Sequence, residues 1–162
     1  MCSINNAQFP PFKDTAPCKM CCVKDDIYLI GGEGSGVKER RVTRFNLSTN
    51  TWSNMPCLQL GRNGKDGLCT LDSKIFVVGA DNTCELLDLN DDEDPEWKFF
   101  ANMRHQHHDA GIVMLDRKIY VLSGCGTEVE VYDVDEGMFV EVLLTKYLIY
   151  FTFKIIGLVF QT

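Results

Sequence analysis

Eight cysteines, three histidines and one run of four carboxylates are the residues of this 162-residue chain best suited to chemistry. Cys18 and Cys21 stand at the spacing of half a zinc site, but no second pair follows at ligand spacing. His105, His107 and His108 precede Asp109, and histidine-rich tracts can bind metals. This tract links two apolar strand units, however, so a solvated polar loop is expected. Asp91-Asp92-Glu93-Asp94 reads as a solvated turn insertion ahead of Trp97. Gly31-Gly32-Glu33-Gly34-Ser35-Gly36 is rich in glycine. It lies between two apolar runs rather than before a helix, so it is not a phosphate cradle. No catalytic constellation, metal site or cofactor is expected, and the chain is read as a non-enzyme. A net charge of −7 and a pI near 4.9 oppose nucleic-acid binding, which needs a basic footprint.

The elements that must position these residues are short strands. Gly111 to Leu115 is an apolar run, Asp116-Arg117-Lys118 a turn, and Ile119 to Leu122 a second run. Glu128 to Tyr132 alternates polar and apolar residues, as a half-buried strand does. Asp133 to Gly137 turns the chain, and Met138 to Leu143 supplies a fourth strand. Turn residues at this density between β-branched and aromatic runs predict an all-β protein of antiparallel sheets. Cys18, Cys21, Cys22 and Cys69 fall on predicted first strands, where a free thiol behaves as a small hydrophobe. No secretory signal is apparent, so reduced cysteines and a cytoplasmic location are expected, with the cytoskeleton as the alternative.

The strand pattern occurs three times. The copies are Ile27 to Gly32 with Val42 to Asn46 and Thr51-Trp52, Ile75 to Ala80 with Glu85 to Asp88 and Glu96-Trp97, and Ile119 to Gly124 with Glu130 to Asp133 and Met138-Phe139. The isoleucines are 48 and 44 residues apart and the two tryptophans 45 apart. Such a period describes an array of supersecondary units. The pattern over residues 18–143 resembles the kelch repeat. It rests on the apolar pair before the glycines, Gly31, Gly32, Gly79 and Gly124, the aromatics Phe45 and Tyr132, and Trp52 and Trp97. No Gly-His or Trp-Asp pair recurs, as a WD40 array would require. The resemblance implies a partial kelch β-propeller of about three four-stranded antiparallel blades. The glycines would let the backbone pass close to a neighbour, and the tryptophans would fill the wedge between sheets.

Three repeats are expected, at 18–58, 62–103 and 104–143, after an inter-blade link or blade remnant at 1–17 and before an apolar tail at 144–162. Three blades trace about half a ring, so the chain is expected to be part of a longer protein or a truncated product. The tail is expected to pack on no specific neighbour, and a membrane partner is not expected.

The resemblance also implies a role. In kelch-like proteins, loops before the first strand and after the glycine pair contact the bound protein. The matching positions here are Glu33, Ser35, Arg62, Asn63, Lys65 and Asp66, then Asp81, Asn82, Arg104, His107, His108 and Asp109, then Cys125 and Thr127. By analogy the expected role is the substrate receptor of a cullin-type ubiquitin-ligase adaptor. In that family a BTB domain, absent from this sequence, holds the cullin. The alternatives are an actin-binding cytoskeletal protein and a truncated, non-functional product. No kelch-type copper oxidase pattern of Tyr and His is present.

Overall fold

Every described strand pairs only with strands next to it in sequence. A computed structural model describes residues 18–32, 38–62, 64–79, 81–90, 95–122 and 128–141. The first sheet holds β1 (Lys19–Val23), β2 (Asp26–Ile30), β3 (Val42–Asn46) and β4 (Thr51–Met55). The second holds β5 (Gly67–Leu71), β6 (Lys74–Val78), β7 (Thr83–Asp88) and β8 (Trp97–Asn102). The third holds β9 (Gly111–Leu115), β10 (Lys118–Leu122), β11 (Val129–Asp133) and β12 (Met138–Glu141). All pairings are antiparallel. These are three propeller blades, as the repeat predicts. One short 3-10 turn, Lys38–Arg40, interrupts the β2–β3 connection.

Tight turns follow from local chemistry. Lys24, Asp72, Asp116 and Arg117 adopt positive φ at the β1–β2, β5–β6 and β9–β10 hairpins. Asn50 and Gly137 do so between the third and fourth strands of their blades. Asp, Asn and Gly tolerate this left-handed region best. Asn46 accepts bonds from the Thr49 amide and hydroxyl, and Asp133 accepts from the Asp135 and Glu136 amides. Side-chain oxygens thus replace the ladder where the chain reverses.

The core lies between the blades rather than inside one. Ile75 and Val77 of β6 join Tyr28, Ile30, Val42, Leu58, Leu87 and Trp97 between blades one and two. Phe76 and Val78 of the same strand join Cys84, Met103, Ile119, Val121, Tyr132 and Phe139 between blades two and three. Alternate side chains of a strand point to opposite faces, so the middle blade is buried on both. The first strands line up side by side, β1 against β5 and β5 against β9.

The tryptophans differ in depth. Trp97 is 1% exposed and donates its indole N–H to the Pro56 carbonyl at 3.0 Å. Trp52 is half-buried against Phe45, with ring centroids 4.7 Å apart. It lies on the face of blade one turned away from blade two, so among the described residues Trp97 alone fills a wedge between two blades. Cys18 precedes β1 and, like Cys22, is exposed, so neither serves as a core hydrophobe. The tail at 144–162, and with it the expectation that it packs on nothing, lies outside the described residues.

Trp97→Ala should lower stability by about 3–5 kcal/mol, and Trp52→Ala by clearly less. Urea denaturation of the two variants checks the order. Equal losses would contradict this placement.

Candidate functional site

The segments that join the blades are held by two buried carboxylates at matching positions. Glu85 on β7 is 0% exposed. It accepts from the Gln59 amide at 2.6 Å, the Leu60 amide at 3.2 Å and the Arg62 guanidinium at 2.7 Å. Glu130 on β11 is 1% exposed. It accepts from the Arg104 amide, the His105 amide and His107 Nε2, each at 2.9 Å. A carboxylate can only accept, so Nε2 carries the proton in this pair. Each donor of the second clasp stands 45 residues after its counterpart in the first, as Glu130 does after Glu85. In both, a strand of one blade grips the linker arriving from the blade before.

These carboxylates would be costly to bury alone. Burial by itself would raise the Glu130 carboxyl, but the Arg104 and His105 amides and the His107 ring outweigh it. They hold the group below the usual carboxylate range. Arg62 extends its clasp further, reaching Asp81 at 3.2 Å and Asp66 at 3.5 Å. Burial would likewise raise Asp81, yet the Thr83 hydroxyl and amide, with Arg62, hold it down.

Two glycines make room for Arg62. Gly32 N–H donates to the Arg62 carbonyl at 3.1 Å. A Cβ on Gly31, whose φ is +73°, would lie 2.7 Å from that carbonyl oxygen. A Cβ on Gly79 would lie 1.8 Å from Arg62 Nη1. The glycines after the second strands therefore admit the linker in blade one and the guanidinium in blade two. The close backbone approach expected from the sequence has a specific visitor.

The expected contact residues divide into two groups. Lys65, Asp81, Arg104, His108 and Asp109 are exposed and Asn82 is half-buried. All lie in loops before first strands or after second strands, hence at one end of the blades. Arg62, Asp66 and His107 are instead buried, at 3%, 6% and 1% exposure. Their placement on an accessible contact face is thereby corrected, as is the solvated loop expected around His107. Their charges and ring atoms face buried carboxylates or the linker rather than water. Glu33, Ser35, Asn63, Cys125, Thr127 and Gly124 lie outside the described residues. Glu85 and Glu130 did not figure among the expected site residues. They already align in the second and third copies of the repeat, and the same 45-residue spacing pairs Arg62 with His107.

The remaining reactive groups are quiet. Burial pushes the thiols of Cys21, Cys69 and Cys84 up to about 12, which leaves them protonated and weakly nucleophilic. Among the described residues, no group of three or more His, Cys, Asp or Glu side chains could hold a metal ion. No described helix is long and apolar enough to cross a membrane.

Comparison with known proteins agrees with this geometry. Residues 14–59 match the family model described as the Kelch motif. Kelch-like protein 23 of Pongo abelii is 31% identical over 128 residues, covering 71% of this chain and 22% of that protein. The chain is a kelch-repeat protein. The kelch and BTB domain-containing protein 1 of Vaccinia virus (strain Copenhagen) is 32% identical over 105 residues, covering 60% of this chain and 18% of that one. The chain thus spans about a fifth of the length of these relatives. The solved structure of YjhT matches with a TM-score of 0.63 at 11% identity, over 80% of this chain and 52% of YjhT. That likeness supports the kelch propeller fold.

Glu85→Gln should cost about 1–3 kcal/mol, because it removes the shortest carboxylate contact of Arg62, leaving it Asp81 and Asp66, and turns an amide N–H toward the donors of the clasp. The double variant Glu85→Gln/Arg62→Met should recover part of the loss in urea denaturation. The lowered Glu130 gives a pH signature. Its contribution is fully present above the unfolded glutamate value of about 4.3 and is lost as pH falls through the folded value. Glu130→Gln should therefore flatten the acid limb of the stability curve, and an unchanged acid limb would contradict the clasp.

Proposed function

We propose that the kelch blades of this chain are a protein-binding module, the substrate-receptor part of a kelch-like adaptor for a cullin-type ubiquitin ligase. The observation that carries the reading is the contrast within the inter-blade loops. Arg62 and His107 are buried and clasped, while Lys65, Asp81, Arg104, His108 and Asp109 beside them are exposed. Clasped linkers hold the exposed side chains in fixed positions, which lowers the ordering cost of binding. Loops on a rigid scaffold are the usual seat of recognition. Both charges occur among the five, so the fitting partner is a protein surface of mixed charge rather than a polyanion.

The names of the relatives support the finer step, since the viral protein is described as carrying both kelch repeats and a BTB domain. In such an adaptor the BTB domain would hold the cullin, and these blades the target. A cytoplasmic location accords with that role. An actin-binding role is the second reading.

The test uses affinity capture with two variants. One replaces Asp81, Arg104, His108 and Asp109 with alanine. The other replaces Lys24, Asp25 and Glu136, in turns at the opposite end of the blades, with alanine. Proteins retained by the wild type and the second variant but lost by the first are the expected targets. A cullin-binding BTB segment fused to the chain should then direct ubiquitin onto them. Co-sedimentation with filamentous actin, abolished by the first variant alone, would favour the cytoskeletal reading. Identical capture by both variants would refute this contact face.

A further inference from the structure

The two interfaces between blades are built from matching positions, and one of them holds a cleft where the other holds a ring. The cleft lies between blades one and two, beside the β1–β2 turn, and its volume is about 200 Å³. Val23, Met55 and Leu89 give it apolar walls, and Asp26, Tyr28 and Arg44 give it polar groups. Register identifies the counterparts between blades two and three. Tyr28 pairs with Arg44 as Phe76 pairs with Leu86. Phe100 follows Met55 by 45 residues, as Trp97 follows Trp52. The Leu89 amide donates to Ser73 as the Val134 amide donates to Arg117. In the second interface Leu86, Phe100 and Val134 pack with Phe76 in one apolar cluster. The Phe100 ring meets Phe76 edge-on, with centroids 5.6 Å apart. In the first interface Met55 replaces that ring, and a hydroxyl and a guanidinium stand where Phe76 and Leu86 present only carbon.

The polar groups of the cleft are incompletely satisfied. Arg44 Nη1 lies 3.8 Å from Asp26 Oδ2, too far for a hydrogen bond. Asp26 accepts instead from Asn46 Nδ2 at 2.7 Å. Arg44 Nε is shielded from water and has no hydrogen-bond partner among the described residues. The guanidinium donates to the Tyr28 hydroxyl. Because a guanidinium cannot accept, the hydroxyl proton is available to another acceptor. Burial, and after it Asp26, pushes the Tyr28 hydroxyl above the ordinary tyrosine value, so the phenol keeps that proton.

Charge and size narrow the ligand. Arg44, with exposed Lys24 at the mouth, sets two cations against the single carboxylate of Asp26, which leaves one positive charge to be met. A cavity of about 150 Å³ holds a benzene ring, so this cleft has room for a ring bearing one small substituent. The Met55 thioether favours an aromatic neighbour.

We propose that the cleft between blades one and two binds a small aromatic monocarboxylate. The ring takes the place that Phe100 fills in the second interface and packs against Tyr28. The carboxylate accepts from Arg44 and from the Tyr28 hydroxyl, a charge-assisted pairing that a neutral group cannot match. The cleft lies at the end of the blades opposite the exposed contact loops. The inference is therefore independent of the receptor role.

The test titrates the full chain with benzoate and follows amide signals by NMR. Saturable binding in the millimolar range is expected for so small a ligand, with the largest shifts at Tyr28 and Arg44. Benzamide keeps the shape without the charge, and inorganic phosphate keeps charge without the ring. Each should bind at least about tenfold more weakly than benzoate. Met55→Phe and Arg44→Leu each install the residue of the second interface, so both should keep strand content by circular dichroism. Each should weaken benzoate at least about tenfold, the first by filling the cleft and the second by removing its charge. Discrimination among the three probes by the unmodified protein reads the site without any variant. No saturable benzoate binding would overturn the proposal. Equal binding of phosphate, which marks an adventitious ion only, would overturn it, as would equal binding of benzamide. Benzoate binding untouched by folded Met55→Phe and Arg44→Leu would overturn it too.

Discussion

A carboxylate withdrawn from water must be met by donors, and this requirement organises the way the blades are joined. Glu85 and Glu130 each sit in the middle of a third strand, where an unpaired charge would be untenable. Each is satisfied by two consecutive backbone amides of a linker and one side chain beyond them. The linker's orphan amides and the blade's buried charge resolve each other's cost. A crossing segment with no ladder of its own is thereby fixed as firmly as a strand. The same arrangement brings Arg62 against Gly31 and Gly79, so the glycine positions and the clasps are one device.

Hydrophobic stacking supplies the bulk of the cohesion, but it is less selective. Ile75 and Val77 pack one way and Phe76 and Val78 the other, with both clusters assembled from side chains of adjacent sheets. Apolar faces of this kind can slide with little penalty. Polar clasps of fixed geometry specify one register between blades, since any slip would strand Glu85 or Glu130. Salt links at the opposite end, such as Arg117 with Asp72 and Asp135, are exposed. Screening makes such links contribute little.

The fold was legible because strands write their burial into a two-residue alternation. Ile75-Phe76-Val77-Val78 and its two counterparts stand out as apolar runs at a fixed period, and turns fall where Asp and Asn cluster. The site was legible only in part. Arg62, Asp66 and His107 lie in segments that read as solvated loops, and residue type alone does not distinguish a charge in water from one in a buried pair. Position could have helped: Glu85 shares a strand face with Leu87 and Glu130 with Tyr132, which alternation assigns to the core side. Trp52 and Trp97 carry the same signature and differ in depth because blade two has a described predecessor and blade one has none. That difference is a property of neighbours rather than of local sequence.

The central claim is that the inter-blade linkers are clasped elements of the core. Amide hydrogen exchange under native conditions tests it most directly, residue by residue. The account predicts that the amides of Gln59, Leu60, Arg104 and His105 exchange as slowly as those of β6 and β10, and that Glu85→Gln releases the first pair while sparing the second. Fast, loop-like exchange at all four amides in the unmodified protein would contradict it.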